Sequence, residues 1–179
     1  MRDDDVLVIA GLVLLVMTGE HVPWGAGWVW PVPDVRFPDG RILRAQVSQE
    51  FKPSTHLGVD IMYRAGGVWL APKGTPVIAA KTGRWFSSRR TARGWGVVID
   101  HGAPFATYYQ HLETVRPYVK GAVVPEGAVI GTMGADPTDP QGLRHLHFAV
   151  WYKGAGDKAS VDPGGVIDSW RRPTPWDAP

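Results

Sequence analysis

The chain has 179 residues, 20% of them charged and 44% hydrophobic, which is the composition of a folded domain with its own core rather than a disordered segment. The formal net charge is only +2. No long Lys/Arg run is interleaved with aromatics, so nothing marks a nucleic-acid partner. There is no cysteine, which excludes disulfides, thiolate metal sites and cysteine nucleophiles together; a metal would have to be held by histidines and carboxylates.

Residues 6–17 (VLVIAGLVLLVM) are apolar and uncharged. As a helix they would span about 18 Å, short of the ~20 residues needed to cross a bilayer. Arg2 is followed by three aspartates, whereas a secretory signal carries net positive charge there. The run reads as a short anchor, an uncleaved export signal, a helix docked on a partner, or a buried core helix. It has no polar face, which favours anchor or docking, so residues 1–30 are expected to engage a membrane or a larger protein assembly. Residues 1–21 are thus an apolar helical segment. Residues 22–40, dense in Pro, Gly and Trp, read as an extended linker whose tryptophans pack on the domain or on a neighbour.

From about residue 41 the pattern becomes short apolar or alternating runs between Gly and Pro. They are 75–80 (TPVIAA), 95–100 (WGVVID), 106–110 (ATYYQ), 128–132 (AVIGT) and 146–152 (LHFAVWY). Strands at this spacing predict a mainly β domain, an antiparallel sheet or sandwich, over 41–167. Residues 84–94 (RWFSSRRTARG) read as a hairpin carrying four arginines, either a solvated tip or a contact for an anionic polymer. Residues 168–179 form a Pro/Trp tail.

The histidines carry the chemistry. His145 and His147 form H-L-H; on a strand, positions i and i+2 share a face, so both imidazoles enter one small volume. His56 and Asp60, in THLGVDI, also share a strand face, or meet across a bend at Gly58. Histidine and carboxylate are standard zinc ligands. His111 ends a strand-like run in TYYQHL, whereas His101 sits in a turn and His21 has no partner in sequence. Three separate segments thus offer His or Asp, enough for three protein ligands and one open position on a catalytic zinc. No H-E-x-x-H is present, so a helix-borne Glu base is not available and a general base would have to be a histidine.

At these residues the sequence resembles the M23 family of metallopeptidases, the lysostaphin- or LytM-type peptidoglycan endopeptidases. The resemblance runs from about Val47 to Ile167, through VSQEF, HLGVDI, APKGTPVIAAKTG, GWGVVIDHG, YYQHL, VVPEGAVIGTMG, HLHF and VDP. It implies a β-sheet fold with a groove over the sheet. It implies zinc held by His56, Asp60 and His147, with His111 and His145 catalytic. It implies hydrolysis of stem or cross-bridge peptides of bacterial peptidoglycan; the apolar N-terminal run and Trp-rich linker would tether such an enzyme to a membrane at the cell envelope or fit it into a phage particle. A non-catalytic wall-binding or amidase-activating role is the alternative. Tyr109, two residues before His111, is a candidate for a substrate hydrogen bond. Arg144, beside His145 where family members often have Pro, would bind a substrate carboxylate or face solvent.

Overall fold

The computed structural model describes residues 27–102, 104–139, 141–152 and 160–178. The apolar run at 6–17, expected to be helical, lies outside them.

Each strand-like run of the sequence falls on a strand. The first strands are β1 (Val35–Arg36), β2 (Ile42–Leu43), β3 (Ala45–Gln49), β4 (Val59–Ala65), β5 (Val68–Leu70), β6 (Pro76–Ile78) and β7 (Gly83–Thr91). They are followed by β8 (Gly94–Asp100), β9 (Phe105–Val115), β10 (Val123–Val124), β11 (Val129–Met133), β12 (Leu146–Tyr152) and β13 (Ser160–Val161). A one-turn helix α1 (Gly164–Ile167) and β14 (Trp176–Asp177) close the described chain. The protein is mainly β. Its principal sheet has eleven strands, with the central order β10-β7-β8-β9-β12-β4-β3, and its pairings are antiparallel.

Period-two alternation divides this sheet into two faces. Ile61 and Tyr63 of β4, Val97 and Ile99 of β8, Tyr109 of β9, and Leu146, Phe148 and Val150 of β12 point into the core and are fully buried. The intervening residues Asp60, Gln110 and His147 line the groove on the opposite face. Because β12 runs between β4 and β9, His147 pairs with Asp60 on one side and Gln110 on the other. Two of the expected ligands are therefore brought together by strand register.

The core face is covered largely by segments without periodicity. Trp28 and Trp30 are buried, so these two tryptophans of 22–40 pack on the domain itself; Trp24 lies outside the described residues. Trp28 stacks on Trp170 with ring centroids 4.7 Å apart. Backbone hydrogen bonds join Trp30 and Trp28 to Arg171. The Arg172 guanidinium lies 3.6 Å from the Trp30 ring centroid and donates to the buried Asp34 carboxylate and to the Ala45 carbonyl. The C-terminal tail is tied in the same way, with β14 pairing in parallel with β1. Aromatic area, rather than sequence pattern, recruits these segments to the sheet.

Candidate metal centre and active site

His56 lies just before β4, in a tight turn where its carbonyl accepts from the Lys52 N–H. Its Nδ1–H donates to the Glu50 carbonyl at 2.8 Å. In the neutral ring this commits the proton to Nδ1 and leaves a lone pair on Nε2. That Nε2 stands 3.0 Å from Asp60 Oδ1 and 3.1 Å from His147 Nδ1, and His147 Nδ1 stands 2.9 Å from the same carboxylate oxygen. A lone pair and a carboxylate oxygen at that distance repel unless a proton or a cation joins them. Three donors on one tetrahedral zinc are about 3.3 Å apart, close to the spacing here. The donor set fits zinc: two imidazoles and one carboxylate, with no thiolate.

Gly58 makes the packing possible. A Cβ built there would fall 2.8 Å from His147 Nε2 and 2.6 Å from the Phe148 carbonyl oxygen. Burial acts to raise the Asp60 carboxyl pKa, but the His147 hydrogen bond and the neighbouring imidazoles outweigh it and hold the carboxyl below its ordinary range.

His145 and His111 stand beside this triad, their rings 4.5 Å apart. The His145 Nδ1–H donates to the Leu143 carbonyl at 3.0 Å, and its Nε2 is 4.0 Å from Asp60 Oδ2. His111 repeats the pattern, its Nδ1–H donating to the Arg93 carbonyl at 2.9 Å. Both rings therefore keep Nε2 for the groove. His111 reaches it through a β-bulge: between the pairs Trp95–Leu112 and Val97–Tyr109, both Gln110 and His111 oppose Gly96. Its φ of +64° is the left-handed region, uncommon for a residue with a side chain and typical of a bulge that re-aims one. Burial, then the neighbouring His145, lowers the His111 pKa to about 4. Its ring is neutral at pH 7.

The bulge also corrects the expectation for Tyr109. Without the extra residue, Tyr109 and His111 would share a face. With it, Tyr109 turns into the core, fully buried, where its hydroxyl oxygen accepts from the Ala80 N–H at 2.8 Å and the Thr107 hydroxyl at 3.1 Å. Burial pushes its phenol pKa up to about 12. Tyr109 is a core residue, not a substrate contact. Arg144 spends its Nη1 inside the protein, donating to Glu113 Oε2 at 2.6 Å and to the Met133 carbonyl at 3.2 Å.

Sequence reading missed Asp136. This carboxylate is buried, with Oδ1 accepting from the Thr138 N–H and hydroxyl. Its Oδ2 faces His111 Nδ1 and Arg93 Nε, each at 3.9 Å. No local motif marks its place at the site, because His111 and Arg93 lie far from it in sequence. Arg93 was visible only as one of the hairpin arginines. In the fold it lines the same groove of about 630 Å³ as the five expected residues.

Known proteins share this sequence pattern and fold. The sequence model of Peptidase family M23 matches residues 54–163. The uncharacterized lipoprotein YgeR of Escherichia coli is 29% identical over 138 residues, covering 76% of this chain and 45% of that protein. This chain therefore spans less than half of that relative. A zinc-containing peptidase from Vibrio cholerae is 26% identical with a TM-score of 0.54, over 76% of this chain and 39% of that one. Lysostaphin from Staphylococcus simulans shares the fold at 21% identity and a TM-score of 0.55, over 71% of this chain and 50% of that one. The family match takes in His56, Asp60, His111, His145 and His147, and the chain belongs to peptidase family M23.

Proposed function

We propose that the chain is a zinc-dependent endopeptidase that hydrolyses stem or cross-bridge peptides of bacterial peptidoglycan. The observation that carries this reading is the convergence of His56 Nε2, Asp60 Oδ1 and His147 Nδ1, with two further imidazoles beside them, in a chain of this family. His56, Asp60 and His147 are the residues that would hold the metal. Bound there, zinc supplies a Lewis acid and brings the pKa of a water at its open position to about 7.

The remaining chemistry belongs to the chain's own side chains. His145, anchored through Nδ1, offers Nε2 as the acceptor of the proton given up by the attacking water. His111, neutral at rest, accepts a hydrogen bond from that water. The same His145 Nε2 then gives that proton to the departing amine, while neutral His111 keeps the water oriented. Both rings are fixed by backbone carbonyls, so neither has to reorient during turnover.

The E. coli relative is named a lipoprotein, which supports placing this chain at the cell envelope; residues 6–17 would be the tether on their apolar character alone. The test is metal analysis together with release of wall peptides. One zinc per chain and peptide release are expected for the wild type, with both lost in His147→Ala. A wild type that binds wall but holds no zinc and releases no peptide would be a non-catalytic wall-binding or amidase-activating protein instead.

A further inference from the structure

Two arginines lie close to the paired histidines, and the fold treats them differently. Arg144 is half-buried, its Nη1 donates to Glu113 Oε2 and the Met133 carbonyl, and it is not among the residues that line the groove. Arg93 is open. It sits in the two-residue turn between β7 and β8, with its carbonyl fixed by the His111 Nδ1–H. Its side chain is 61% exposed, and its Nε lies 3.9 Å from Asp136 Oδ2, close enough for attraction but beyond hydrogen-bond length. Among the described residues that line the groove, Arg93 is the one lysine or arginine.

Asp136 is itself anchored by Thr138. It therefore acts as a fixed counter-ion that holds the guanidinium at the groove wall without consuming its N–H donors. A planar fork of unspent donors at the edge of a reacting site is suited to a carboxylate.

We propose that the Arg93 guanidinium is the specificity-determining group of this site and binds a free carboxylate of the substrate peptide. That carboxylate lies on the His111 side, within about one residue (~3.8 Å between successive Cα atoms) of the scissile bond. The inference rests on the peptidoglycan endopeptidase reading and sharpens it: the substrate is a carboxylate-bearing stem or cross-link peptide rather than an uncharged glycine bridge.

The experiment uses the full-length, zinc-loaded protein and paired stem peptides that differ only in whether the carboxyl group beside the scissile bond is free or amidated. The wild type is expected to favour the free acid by about tenfold in kcat/KM, the discrimination of one charge-assisted hydrogen bond, expressed mainly in KM. Arg93→Gln keeps the backbone carbonyl that orients His111 and should bring the ratio towards one; Arg93→Lys should restore part of it. Equal cleavage of both peptides by the wild type would overturn the role of Arg93 alone. So would a ratio that survives in Arg93→Gln. Failure of the wild type to cleave either peptide would overturn the endopeptidase reading and this inference with it.

Discussion

Gly58 and His147 share one volume: a methyl group on Gly58 would lie 2.8 Å from the Nε2 of His147, with the Phe148 carbonyl oxygen at 2.6 Å. Contacts that short require backbone to move, since neither neighbour is the free end of a flexible side chain. Gly58→Ala is expected to destabilise the protein by about 1–3 kcal/mol. It should also weaken zinc binding by about tenfold or more by displacing a ligand ring. Thermal melts and zinc competition titrations would measure both. An unchanged zinc affinity would mean that the ring is free to retreat.

The left-handed backbone at His111 and its lowered pKa give a pH prediction for the metal-free protein. The folded pKa, about 4, lies below the ordinary value of about 6.5, so the unfolded chain binds the proton more readily. The stability tied to neutral His111 is therefore complete above about pH 6.5 and is lost as pH falls towards 4. It amounts to roughly 3 kcal/mol at most. Asp60 acts lower, because its depressed carboxyl pKa removes stability only as pH falls below its ordinary value of about 4. Urea unfolding between pH 7 and 4 should show the His111 slope. His111→Asn, which tolerates positive φ, should flatten it. A slope that survives this substitution would assign it to another histidine.

Tyr109→Phe removes a hydroxyl that satisfies the Ala80 N–H inside the core. The expected cost is about 1–2 kcal/mol of stability, seen as a lower Tm. Because the ring lies on the opposite face of the sheet from His111, kcat and KM of the folded fraction should stay at wild-type values. A rise in KM would return Tyr109 to the substrate site.

Truncations should separate the apolar segment from the domain. Removing residues 1–30 deletes Trp28 and Trp30, both buried, and with them their backbone hydrogen bonds to Arg171. Loss of a buried tryptophan costs about 3–5 kcal/mol. Removal of residues 1–30 should therefore be markedly less stable than removal of residues 1–26. Equal melting temperatures would show that neither tryptophan supports the core.

Much of the site was legible because it depends on local alternation. H-L-H is short enough that period two alone places His145 and His147 on one face, and the apolar run around it already marks a core strand. His56 and Asp60 are four residues apart, and their chemistry limits what they can hold together. The resemblance along the chain then implied which of them would be ligands.

The chain by itself determined five of the strands, the candidate ligand types and the exclusion of sulfur chemistry, since these follow from side-chain chemistry and short-range period. Tertiary structure alone decided which face His111 takes. A bulge forms only when β9 meets β8, and one added residue reverses every alternation beyond it. Pairing also decided that Tyr109 is core, that Arg144 pairs with Glu113, and that Asp136 stands behind His111 and Arg93. The fold likewise made Trp28 and Trp30 part of the core, because an aperiodic Pro/Trp segment reveals its buried area only once a sheet face exists to receive it.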